Sequence, residues 1–129
     1  MDHRARVGVV VLRAAVASVF LIHGIARTLN GTVGGFGEFL GTWGFPAGVA
    51  VAWAITLVEI AGGAALAAGY AVRWLAAWFI VQIAAGIVMV HASSGWFVVG
   101  AGRNGVEYSV LIVACLFATA LLDASLRKV

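Results

Sequence analysis

Four stretches of about twenty residues, each almost free of charge, constrain this chain more than anything else in it. They run from about Val7 to Leu29, Val49 to Gly69, Arg73 to His91 and Val106 to Leu122. A hydrocarbon core about 30 Å thick needs roughly 20 apolar residues in a helix, because each residue adds about 1.5 Å. With 64% hydrophobic and 10% charged residues in 129, no soluble fold of this length could hide the apolar surface. The expected fold is therefore an all-α, four-helix transmembrane bundle, a single domain over residues 1–129 embedded in a lipid bilayer.

The first stretch has the basic start and apolar run of a signal peptide, but the run continues past the usual length and carries His23 and Arg27. It is read as a retained helix. Between the first two spans, NGTVGGFGEFLGTWGFPAG is broken by glycines and by Pro46. Phe36, Phe39, Leu40 and Trp43 recur there at helical spacing, which predicts a short amphipathic helix lying in the interface. Small residues in GGAALAAG and along the third span allow close helix approach and are read as packing features.

Charge sets the expected orientation. Arg4, Arg6, Arg13, Arg73, Arg127 and Lys128 fall on one side, against Arg27 and Arg103 on the other, so both termini are expected in the cytoplasm. Arg13, Arg73, Arg127 and Lys128 are read as snorkelling or surface residues, and Asp123 as a cap or solvated end. A net charge of +3 and a pI near 9.8 raise nucleic acid as a partner. Scattered basic residues with no aromatic-interleaved stripe argue against it. Cys115 stands alone, which rules out a dithiol exchanger or thiolate metal site built by this chain by itself, and no metal is expected.

The remaining polar residues collect in one half of the bundle. Glu59 and Gln82 fall near mid-membrane, with His23 and Arg27 one turn apart on the first helix and His91 closing the third. Arg103, Glu107 and Tyr108 lie in or just after the last loop. A charged carboxylate at mid-membrane costs about 2.5–3.5 kcal/mol even on the lenient insertion scale, so Glu59 must be paired, protonated or turned inward. Contact with His23 or Arg27 is expected, with a hydrated cavity above. Helix-end residues have a plainer reading: Glu107 at a helix start meets the positive end of the dipole. His23 and His91 could ligate haem from two helices, but two histidines alone are weak support, and haem is disfavoured.

At these residues the chain resembles the DoxX family. The resemblance rests on LIHGIAR, on LVEIAGGAALAAGYAVRWLAA, and on VHASSGWFVVGAGRNGVEYSVLIV with its histidine, its Gly-aromatic-Phe and its Gly-x-Glu-Tyr. It spans about residues 10 to 122. It implies a multi-pass protein of the bacterial inner membrane associated with oxidoreductase systems, but no catalytic residue can be carried over from it. Lysine is common in the family where Arg27 stands, and a guanidinium does not give up its proton.

The leading expectation is a membrane subunit of a redox complex, quinone-linked or engaged in oxidative stress. Its outer-leaflet pocket would be built from His23, Arg27, Glu59, Gln82, His91, Arg103, Glu107 and Tyr108. Glu59 and His23 would handle protons, and electrons would come from a partner protein, since the sequence shows no convincing redox centre. Whether the chain is itself catalytic stays open. The competing readings are a small proton-coupled carrier, working as a homo-oligomer such as a dimer, and a scaffold for a membrane partner.

Overall fold

The computed structural model of the chain describes residues 1–126, which leaves Arg127 and Lys128 of the orientation argument outside the described residues. Its elements are α1 (His3–Leu29), α2 (Val33–Thr42), α3 (Gly48–Ala68), α4 (Val72–Gly86) and α5 (Glu107–Leu126). A π-helical turn over Ile87–His91 and a 3-10 turn over Ala92–Ser94 extend α4. No strand occurs among the described residues. Four helices are long and apolar enough to cross a membrane: α1, α3, α5 and the continuous stretch Val72–Ser94. The protein is an all-α, multi-pass membrane protein, with the short α2 between its first two spans.

Helix α1 begins four residues before the apolar run. Asp2 explains this, because its carboxylate accepts the Ala5 N–H at 2.8 Å and satisfies a donor that the helix start leaves orphaned. α3 ends where Gly69 turns left-handed, at φ 87°. There the Tyr70 and Gly69 N–H groups donate back to the Ala65 and Leu66 carbonyls, a closure that a side chain at position 69 would strain.

The chain divides into two compact units. One is Ala17–Tyr70, containing the second half of α1, α2 and α3. Its buried apolar residues include Ala17, Phe20, Val33, Leu40, Ala52 and Leu66. α2 packs on α3 in this unit. Its buried face is Val33, Gly37 and Leu40, while Phe36 and Phe39 are half-buried and Trp43 is exposed. The reason is steric. A Cβ on Gly37 would stand 2.5 Å from the Val49 Cα, and one on Gly48 would collide with the Gly37 carbonyl, so only glycines let these backbones meet.

The other unit joins Met1–Val16 to the chain from Ala71 onward. α4 packs on α5 there, with Val72, Ala76, Phe79 and Leu116 buried. This unit also overturns the expectation for Arg13 and Asp123. Arg13 Nη1 lies 3.3 Å from Asp123 Oδ1, and only 11% and 8% of the two side chains are exposed. Asp123 is not a solvated end, and Arg13 is paired rather than snorkelling to the surface. Burial forces the pairing, since either charge left alone would keep its full desolvation cost.

Candidate functional site

The site begins with two glycines. A Cβ on Gly24 of α1 would lie 2.8 Å from Ile60 Cγ1 and 3.1 Å from both Glu59 Cβ and the Thr56 carbonyl of α3. One on Gly63 would meet Leu21 Cγ at 2.9 Å. Their absence lets α1 and α3 approach closely, and Arg27, one turn after Gly24, then reaches across to α3. Arg27 Nη1 donates to Glu59 Oε2 at 2.6 Å and to Thr56 Oγ1 at 3.0 Å.

Of the two partners predicted for Glu59, the structure pairs it with Arg27. The carboxylate side chain is 4% exposed and the arginine side chain 18%. Two further groups hold the arginine, neither of them among the residues expected at the site. The Thr56 hydroxyl donates to the Ala52 carbonyl at 2.7 Å, which turns its lone pair toward the guanidinium. The Phe36 ring of α2 lies under the guanidinium, 4.5 Å from Cζ to the ring centroid, a cation–π contact. Thr56 could have been found from its spacing, because it precedes Glu59 by one turn on the same helix face. Phe36 could not, because its contact depends on how the glycine-rich connection folds.

His23 stands one turn before Arg27 and is exposed. Its Nδ1 is 2.8 Å from the Val19 carbonyl. A carbonyl can only accept, so Nδ1 carries the hydrogen and Nε2 is the acceptor of the neutral ring. Beside it runs an open groove of about 310 Å³, lined by Ile22, His23, Ala26, Arg27, Asn30 and Thr32. Apolar walls, an anchored guanidinium, an amide and a titratable ring nitrogen therefore share one surface.

Gln82, His91, Arg103, Glu107 and Tyr108 belong to the other unit. His91 and Glu107 have well-defined structural work there. His91 Nδ1 donates to the Asn104 carbonyl at 2.8 Å, across the loop, and Asn104 is left-handed at φ 57°. The Glu107 carboxylate accepts the Val98 N–H at 3.0 Å, while its own N–H donates to the Trp96 carbonyl at 3.0 Å. Gly105 fits against the Trp96 backbone where a Cβ could not. These bonds knit the segment between α4 and α5 into a closed loop. Arg103 and Tyr108 are exposed, and Gln82 is half-buried on α4. Among the described residues, no three His, Cys, Asp or Glu side chains stand close enough together to hold a metal ion.

No curated protein and no solved structure matches the chain significantly. The DoxX family does, over residues 8–92. That range contains Gly24, Arg27, Glu59 and Gly63, the residues that build the ion pair, and it closes just after His91. The likeness read into Gly95, Gly105, Glu107 and Tyr108 lies beyond it. Because the match covers more than half of the chain, the protein belongs to the DoxX family.

Proposed function

We propose that the protein is a membrane subunit of a redox assembly, and that the groove beside Arg27 receives the headgroup of a lipophilic electron carrier such as a quinone. The observation that carries this reading is an arginine fixed by a buried carboxylate and opening onto a groove with an apolar wall of Ile22 and Ala26. A quinone carbonyl is a hydrogen-bond acceptor, and an anchored guanidinium offers donors at little cost in side-chain entropy. Reduction to the quinol takes up two electrons and two protons. In this scheme a partner protein supplies the two electrons, and solvent supplies both protons, one of them relayed through His23 Nε2. With Arg27 at 2.6 Å, Glu59 acts in this scheme as a positioning residue rather than a proton carrier.

The same residues support an orientation. Arg13 and Arg27 are neutralised by their carboxylates, which leaves Arg4, Arg6 and Arg73 against Arg103 among the described basic residues. That bias favours a cytoplasmic N-terminus in the bacterial inner membrane, with the groove toward the outer leaflet.

The test is photolabelling with a quinone analogue in mild detergent, followed by peptide mapping. Labelling confined to residues around His23 to Thr32, and lost in Arg27→Met, is the expected result. Labelling elsewhere, or labelling indifferent to Arg27→Met, would refute the reading.

A further inference from the structure

We infer that the first three turns of α1 form a binding site for one anionic phospholipid. His3, Arg6, Val7, Val10 and Val11 line an open groove of about 560 Å³ along this part of the helix. The groove changes character along its length. Its valines are 46–60% exposed and form an apolar wall, whereas its start is cationic. Arg6 lines the groove, and its Nε donates to the Met1 carbonyl at 3.4 Å. Arg4 is exposed one turn from Gly8 on the same helical segment.

Charge complementarity identifies the occupant. The only acidic residue before Glu38 is Asp2, and its carboxylate accepts the Ala5 N–H as the helix cap. What remains around the opening is basic. His3 and Val11 are about 12 Å apart along the axis at the α-helical rise, a span suited to a phosphate and the first carbons of an acyl chain. A free phosphate would leave the valines unused, and a neutral lipid would leave Arg4 and Arg6 without a counter-charge. An amphiphile with an anionic headgroup uses both ends.

The purified full chain in detergent, titrated with phosphatidylglycerol or phosphatidylcholine and read by native mass spectrometry, tests this. Phosphatidylglycerol is expected to be retained in preference, saturably and at about one molecule per chain. Each of Arg4→Gln and Arg6→Gln should weaken retention about fivefold, the effect of one basic residue near a lipid surface. Retention should also fall between about 0.1 and 1 M salt, where the Debye length shrinks from about 10 to 3 Å. Val10→Trp keeps the charge and fills the groove, so it should reduce retention with no loss of basic residues. Arg4 and Val10 are exposed and Arg6 is half-buried, and an unchanged melting temperature will show that each variant is folded. Equal retention of the two lipids, or of phosphatidylglycerol by wild type and all three variants, would mean annular lipid only and would overturn the proposal.

Discussion

Two arginines of α1 each meet a buried carboxylate, and the two meetings are built differently. Arg27 makes a 2.6 Å contact to Glu59, a second hydrogen bond to Thr56 and a stacking contact on Phe36. Arg13 reaches Asp123 at 3.3 Å, and among the described residues its buried Nε has no hydrogen-bond acceptor. Burial is similar in the two pairs, so exposure does not explain the contrast. The difference is in how many groups dictate the geometry. Arg27 is fixed from three directions and borders a groove with a titratable neighbour, an arrangement suited to presenting a guanidinium to a ligand. Arg13 and Asp123 neutralise each other and hold their helices together.

The comparison can be broken by removing one carboxylate at a time. Glu59→Gln should destabilise the folded protein by about 3 kcal/mol or more, since truncating one partner of a buried ion pair strands the other charge. Asp123→Asn should cost less, because the contact is longer, 3.3 Å against 2.6 Å. Reversible unfolding of both variants in detergent measures the order; a larger loss at Asp123 would reverse the assignment. The next effect is steric. Gly24→Ala places a methyl 2.8 Å from Ile60 Cγ1, and such overpacking costs about 1–3 kcal/mol. The same change at Gly8, where a Cβ meets nothing within 4 Å, should leave stability unchanged or raised. Smallest is Phe36→Leu, which removes the ring under Arg27 and should cost about 0.5–1 kcal/mol. A Phe36→Leu loss as large as that of Glu59→Gln would mean that the ring, not the carboxylate, anchors the arginine.

The first pair was largely legible in the sequence and the second was not, for a physical reason. Glu59 sits in the middle of an apolar span, where a charge is too costly to leave unexplained, and Arg27 is an obvious cation for it. Arg13 and Asp123 fall near the ends of their spans, where snorkelling and solvation offer cheaper explanations. Their burial goes with a contact between residues 110 positions apart, which no local pattern reveals. α2 shows the same limit. Its aromatic spacing marked the helix and its interfacial character, whereas the glycine contact with α3 depends on how the connection folds. His91 and Glu107 were recognisable as a helix-end pair. Their bonds to the Asn104 carbonyl and the Val98 N–H depend on a loop conformation that spacing does not encode.

The measurement that bears most directly on the account is the affinity of a quinone analogue for Glu59→Gln, Arg27→Met and the double variant. If Glu59 acts by fixing Arg27, each single change should weaken binding about tenfold, in line with the loss of one charge-assisted hydrogen bond. The double variant should then bind no worse than Arg27→Met alone. Losses that multiply in the double variant, or wild-type affinity in Glu59→Gln, would contradict the account.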